Sequence, residues 1–178
     1  MNLIAFNRDT RMYNTLPMYH TNGGIVATSC WMYGGCLILR RKFSASQFWS
    51  DCRKYNANVF IYIGEVCRYL MAQAPSPDDS RHHVQRIIGN GLRGDVWAAF
   101  QKRFAIPRVF EFYGSTEGNV GFVNADNTLG SCGLMPELGQ FVMGVNLVKY
   151  DVENDKHLRK PNGLCVTCGA GEVGEAIS

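Results

Sequence analysis

Residues 59–63, Val-Phe-Ile-Tyr-Ile, constrain the fold more than any other part of this chain. The run has no polar alternation, so it does not read as a strand with one wet face. It reads as a parallel strand covered on both sides, and such a strand needs helices above and below it. The neighbouring segments supply them. Ser44 and Gln47 have capping-box spacing and open a helix with Phe48, Cys52 and Tyr55 on its apolar side. Glu65 to Gln73 is helical in period, with Val66, Tyr69 and Leu70 on one stripe, and Pro75-Ser76-Pro77 ends it. Ile87-Ile88 is a short strand, Asp95 begins a helix burying Val96, Phe100 and Phe104, and Val109-Phe110 is the next strand after Pro107. This alternation predicts an α/β fold: an open, mostly parallel sheet with flanking helices and right-handed crossovers.

The uncharged stretch from Tyr13 to Leu39 is long enough to raise a membrane span. Gly23, Gly24, Gly34 and Gly35, with Thr28 and Ser29 between them, argue against it. They split the stretch into a short helix, about Ile25 to Tyr33, and a strand, Cys36 to Leu39, which together read as a buried pair. After Asn124 the character changes. Residues 126–178 are rich in glycine and in short β-type runs such as Val145 to Tyr150, and Asn162-Gly163 is placed to turn a hairpin between Lys156–Arg159 and Leu164–Val166. The expected organisation is an α/β subdomain over 1–125 and a β-rich subdomain over 126–178.

With 178 residues, 46% of them apolar and 19% charged, the chain can bury one real core. A net charge of +3, with the basic residues scattered, is too small to argue for nucleic acid, and no nucleic-acid partner is expected. The densest basic cluster, Arg40-Arg41-Lys42, reads as a solvated strand end. No charged stretch precedes an apolar one at Met1, so no signal peptide is expected. Seven cysteines cannot all pair within one chain, and most lie in apolar runs, as reduced thiols of a cytoplasmic protein do. Cys165-Val166-Thr167-Cys168 has metal-ligand spacing but no second pair, so a zinc site is not expected. Trp49 and Trp97 fall on helix stripes and read as core, while His82 and His83 read as solvent-facing loop residues.

Residues 111–119, Glu-Phe-Tyr-Gly-Ser-Thr-Glu-Gly-Asn, carry the chemistry. Read as a turn after the buried strand Val109-Phe110, they aim Tyr113, Thr116 and Glu117 into the crevice outside the strand ends, where open α/β sheets bind ligands. A ring to cover a base, a hydroxyl to reach a phosphate oxygen and a carboxylate to hold magnesium suit a nucleotide. The competing reading is an ordinary polar turn with a half-buried tyrosine, since turns collect Gly, Ser and Asn for backbone reasons. His20, read alone, is a packed histidine after a proline turn.

Tyr113-Gly114-Ser115-Thr116-Glu117 resembles the tyrosine–threonine–glutamate motif of the adenylate-forming enzymes. Leu16-Pro17-Met18-Tyr19-His20 resembles that superfamily's Leu-Pro-x-x-His segment, and Gly89-Asn90-Gly91-Leu92-Arg93 resembles its glycine-rich turn. Lys42 to Trp49 and Tyr62 to Leu70 are similar to the fatty acid transport protein and very-long-chain acyl-CoA synthetase branch. The resemblance implies that residues 126–178 begin a small β-barrel subdomain. It also implies an ATP-dependent ligase that joins a fatty acid to coenzyme A through an acyl-adenylate, with magnesium as the cation.

By motif position, Tyr113 would stack on adenine, with Gly114 and Ser115 beside it; Thr116 would bind phosphate and Glu117 magnesium. Gly89, Asn90 and Gly91 would line the nucleotide and acyl carbonyl, and His20 would stand at the acyl pocket. The superfamily's phosphate loop ending in lysine, its ribose-binding aspartate and its lid lysine do not occur in these residues. The chain is therefore expected to be a central segment, inactive alone, that works with missing portions of the same enzyme. Peripheral membrane association of the parent is a further implication. The alternatives are a fatty-acid uptake module without ligase activity and a ligase for another carboxylic acid such as carnitine.

Overall fold

The computed structural model describes residues 4–115, 118, 120–134, 140–141 and 144–178. The chain divides into two compact units. The first runs to Tyr113 and takes in Val123–Leu134; the second holds Gly114–Phe122 and Met135–Ser178.

The first unit is an α/β layer structure. Its strands are β1 (Arg11–Asn14), β2 (Cys36–Leu39), β3 (Val59–Ile63), β4 (Arg86–Asn90) and β5 (Arg108–Gly114), with β6 (Gly121–Asn124) at the end, in the order β2-β1-β3-β4-β5-β6, the last residue of β5 and the first two of β6 being assigned to the second unit. Strands β1 to β5 all pair in parallel. The helices are α1 (Thr21–Met32), α2 (Ala45–Lys54), α3 (Gly64–Met71) and α4 (Gly94–Phe104).

Val59–Ile63 behaves as its composition demands. Phe60 and Tyr62 enter one apolar cluster with Phe48 and Cys52 of α2, Val66, Cys67 and Leu70 of α3, and Trp97, Phe100 and Phe104 of α4. Val59 and Ile61 enter a second cluster with Val26 and Cys30 of α1, Met12, Ile88 and Phe110. The period of two along the strand thus feeds two cores, one on each face. Phe48 is the centre of the first. Its ring meets Tyr13 edge-on at 5.0 Å and Phe60 at 4.9 Å, contacts each contributing about 0.5–1.5 kcal/mol beyond area burial.

Several local expectations change. Tyr55 is exposed and not on the buried side of α2, and β2 is an edge strand with Cys36 and Leu39 exposed, not part of a buried pair. Helix α1 starts at Thr21, not near Ile25, because Gly23 and Gly24 lie inside its first turns. A Cβ on Gly23 would stand 2.2 Å from the Pro17 carbonyl oxygen and one on Gly24 2.5 Å from that of Met18, so these glycines serve close packing, not chain breaking. On α3, Cys67 takes the inward place expected of Tyr69, which is exposed. Ser44 sits at the start of α2 without capping it through its side chain. Arg40 is not a free solvated charge but pairs with Asp51, which also accepts the Tyr13 hydroxyl at 2.7 Å.

His82 also departs from expectation. It is partly buried and stacks on Trp49, with ring centroids 4.4 Å apart and planes 11° apart; His83 is exposed. Trp49 and Trp97 are core residues, as their helix positions predict. Cys30, Cys52 and Cys67 are buried, and all seven cysteines are free thiols.

The second unit contains two antiparallel pairs, β7 (Asn146–Val148) with β10 (Glu175–Ile177) and β8 (Tyr150–Asp151) with β9 (Lys156–His157). The predicted hairpin forms. Gly163 takes φ +84°, Lys160 donates its amide to the Leu164 carbonyl at 2.8 Å, and Arg159 bridges Cys165. No helix among the described residues is long and apolar enough to cross a membrane.

Candidate functional site

Parallel strands end at one edge, and the chemistry-bearing segments leave from that edge. Strand β1 lies between β2 and β3, so the strand order reverses at β1. The chain leaving β1 enters α1 on one face, and the chain leaving β3 enters α3 on the other, as the two core clusters record. The carboxyl ends of β1 and β3, where the two crossovers diverge, are the usual ligand position in such sheets.

The segment after β1 is held by buried Asn14. Its amide nitrogen donates to the Gly23 carbonyl at 3.0 Å, and its oxygen accepts the Leu16 amide at 2.8 Å. His20 follows as the N-cap of α1, extended at φ −95° and ψ 146°, and its Nδ1 accepts the Asn22 amide at 3.4 Å. It is an exposed cap, not the packed core histidine that the local sequence alone suggests. Beside it an open groove of about 420 Å³ runs along α1, with Tyr19, His20, Ile25 and Met32 in its lining.

Asn22 carries the connection to β4. It is buried, and its side-chain nitrogen donates to the Asn90 side-chain oxygen at 2.5 Å. Past Asn90 the backbone turns at Gly91 with φ +76°, a conformation that favours glycine. A Cβ on Gly64, the first residue of α3, would stand 1.9 Å from the Gly91 carbonyl oxygen, so β3 and β4 hand over to their next segments in direct backbone contact. Gly91 itself is exposed.

Strand β5 runs further than the sequence suggests, to Gly114, so residues 111–114 are strand and not turn. Phe112 is partly buried and Tyr113, 51% exposed, stands at the strand's end. Gly114 closes the strand, and exposed Ser115 follows it in the second unit. Thr116 and Glu117 lie outside the described residues. The structure therefore brings His20, Asn90, Gly91 and Tyr113 to the carboxyl edge of one sheet, with Gly89 one residue inside it.

Glu111 was missed by sequence reasoning. It is 5% exposed, its Oε1 accepts the Leu92 amide at 3.0 Å, and its Oε2 accepts the Tyr62 hydroxyl. Burial pushes its carboxyl above the usual range, while the Tyr62 hydroxyl and the Leu92 and Gly91 amides pull it back. Burial and then the neighbouring Glu111 carboxylate hold Tyr62 well above an ordinary phenol, so it stays protonated and donates. A carboxylate at an inward strand position, between Phe110 and Phe112, was the available signal.

The described residues suit a nucleotide: an open backbone at Gly91, a half-exposed ring at the end of the next strand and a polar bridge behind them. Among the described residues no group of three His, Cys, Asp or Glu side chains is gathered to hold a metal.

Residues 1–175 match the AMP-binding enzyme family. The chain belongs to that family, whose name implies a nucleotide site. Within it, the chain is 48% identical over 167 residues to long-chain fatty acid transport protein 2 of Rattus norvegicus, covering 93% of this chain and 27% of that protein. It is 44% identical over 164 residues to long-chain fatty acid transport protein 1 of Homo sapiens, covering 92% and 25%. The chain thus spans about a quarter of the length of these relatives. Its fold is shared with a benzoate CoA ligase from Burkholderia xenovorans (TM-score 0.71, 13% identity, 98% of this chain and 34% of that one). It is shared also with a fatty acyl CoA synthetase from Mycobacterium tuberculosis (TM-score 0.60, 17% identity, 86% and 31%).

Proposed function

We propose that this chain is a segment of an ATP-dependent fatty acyl-CoA synthetase and carries part of its nucleotide and acyl sites. The observation that supports this reading most is the meeting of the His20, Asn90–Gly91 and Tyr113 segments at one sheet edge, next to the strand-order reversal. In the proposed reaction a carboxylate oxygen attacks the α-phosphorus of ATP and pyrophosphate leaves. The thiol of coenzyme A then attacks the acyl carbonyl, and AMP leaves. Catalysis of the first step is mainly positioning and charge stabilisation.

Tyr113 covers the adenine face, and the backbone at Gly91, with Gly89 and Asn90 behind it, approaches the nucleotide and the acyl carbonyl. Gly114 and Ser115 lead into Thr116, which donates to a phosphate oxygen. Glu117 is the magnesium ligand, and the cation neutralises charge on the phosphates when bound. His20 faces the acyl carboxylate from the mouth of the groove on α1, whose apolar lining suits a fatty acid. Association of the parent with a membrane surface fits this substrate class.

The test is a pyrophosphate-release assay on the full-length protein. Glu117→Ala should lower adenylate formation by about a hundredfold or more, because a cation-supported interaction contributes several kcal/mol in the transition state. The melting temperature should hardly move, since a polar residue between serine, threonine and glycine is a poor core candidate. Thr116→Ala should do less, removing one hydrogen bond and leaving the cation. Near-normal activity in Glu117→Ala would remove this turn from the nucleotide site.

A second reading, a fatty-acid uptake module, is favoured by the relatives' names and by the groove beside His20. Saturable fatty-acid binding by the full-length protein, with no pyrophosphate released on adding ATP, would select it.

A further inference from the structure

Tyr62, Gly89 and Glu111 form one cross-strand row, because Tyr62 pairs with Gly89 on β4 and Gly89 with Glu111 on β5. A Cβ on Gly89 would lie 2.7 Å from the Tyr62 ring carbon Cγ. The missing side chain lets the Tyr62 ring cross β4 and bring its hydroxyl to Glu111 Oε2. The other carboxylate oxygen, Oε1, reaches past the end of β4 to the Leu92 amide. That amide follows a left-handed glycine and belongs to a buried residue, beyond the paired part of the strand. A buried amide without an acceptor is costly, so whatever accepts from Leu92 governs the geometry of the turn.

We infer that Glu111 is the positioning residue of the glycine turn: anchored by Tyr62, it grips the Leu92 amide and thereby fixes the backbone of Gly91. The inference rests on the proposed ligase reading only in taking Gly91 as a nucleotide contact. A carboxylate is suited to the task because it accepts on both oxygens at once, one from the phenol and one from the amide. Gly89 acts here through absence, as the gap across which Tyr62 reaches, and does not itself need to touch a ligand. Asn22, bonded to Asn90, steadies the same turn from α1.

Two substitutions separate positioning from packing. Glu111→Met keeps similar bulk and removes both acceptors; Glu111→Gln keeps an acceptor for Leu92. Amide hydrogen exchange resolved at Leu92 and calorimetric titration with ATP, both on the full-length protein, are the two readouts. In Glu111→Met, Leu92 should exchange about tenfold faster or more, with β3 amides still protected, and ATP should bind about tenfold more weakly. Glu111→Gln should restore both to within about threefold of the parent chain. Unchanged Leu92 protection in Glu111→Met would overturn the inference. So would faster exchange with unaltered ATP affinity, since Glu111 would then serve the fold alone. A full-length parent protein that binds no ATP counts against the ligase reading, while Leu92 exchange still decides whether Glu111 holds the turn. Should Glu111→Met not fold, Tyr62→Phe takes its place. Removing the hydroxyl should speed Leu92 exchange and weaken ATP binding, and no change in either would sink the proposal.

Discussion

His82 illustrates how a single side chain acquires a role from its surroundings. Stacked on Trp49, it accepts the Val84 amide on Nδ1 at 3.2 Å, which leaves the proton of the neutral ring on buried Nε2. Burial lowers its pKa, the Arg53 and His83 charges add to that, and the Phe104 carbonyl opposes it. The unfolded chain, whose histidines titrate near about 6.5, therefore takes up this proton first as the pH falls. The stability that His82 contributes is complete above that value and is lost as the pH drops through the lower folded value. His82→Phe keeps the stack and removes the titration. The fall in melting temperature between about pH 7.5 and about pH 5.5 should then shrink by about 2 °C or more. An identical pH dependence in both proteins would refute the assignment. Sequence position did not reveal this, because a histidine after Pro75–Arg81 looks like any loop residue until α2 supplies Trp49.

At the scale of the element, the end of α3 depends on α4. Arg103 donates from one terminal nitrogen to the Met71 carbonyl at 2.7 Å and from the other to those of Gln73 and Ala74 at 2.9 and 3.1 Å, while its Nε bonds Asp79 at 2.8 Å. Helix ends leave carbonyls without partners, and a planar fork with several donors satisfies them together. Both members of the ion pair are largely buried, at 16% and 14% side-chain exposure. Arg103→Ala should cost about 3 kcal/mol by leaving Asp79 and the carbonyls unpaired. Arg103→Lys should recover only part of that loss, because a single ammonium lacks the fork. Urea titration of the three proteins checks this, and a lysine variant as stable as the parent would count against the forked cap. Pro75-Ser76-Pro77 made the stop of α3 legible in sequence, but not the residue from α4 that secures it. Phe60 is a simpler case, legible from its run alone. Phe60→Ala should cost about 3–5 kcal/mol by opening a cavity between α2, α4 and the sheet.

For the whole molecule, the proposed division of labour has a direct consequence. The 178 residues contain the tyrosine–threonine–glutamate, glycine-turn and histidine segments but no Ser/Thr/Gly-rich loop ending in lysine of the kind the resemblance implies. Supplied with ATP, magnesium, a long-chain fatty acid and coenzyme A, the isolated chain should therefore form no acyl-CoA above a boiled-protein control. Turnover above that control would mean that these segments are a sufficient active site. The fold class was legible at this scale because both of its determinants are local. Uninterrupted apolar strands demand cover on two faces, and helical stripes between them supply it.

Sequence by itself determined four strands of the sheet, β2 to β5, and their parallel direction, though not β1 or β6, together with the turn at Asn162-Gly163 and the segments from which the proposed site is built. Each of these depends on period, on proline and glycine chemistry or on the order of short motifs, all properties of neighbouring residues. Tertiary structure alone decided that β1 lies between β2 and β3, that Gly23 and Gly24 continue a helix, and that Glu111 and Tyr62 meet across Gly89. Those outcomes turn on what a residue touches from a distant part of the chain. A glycine breaks a helix or packs it closely, and a glutamate meets water or grips an amide, according to the partner that folding brings to it.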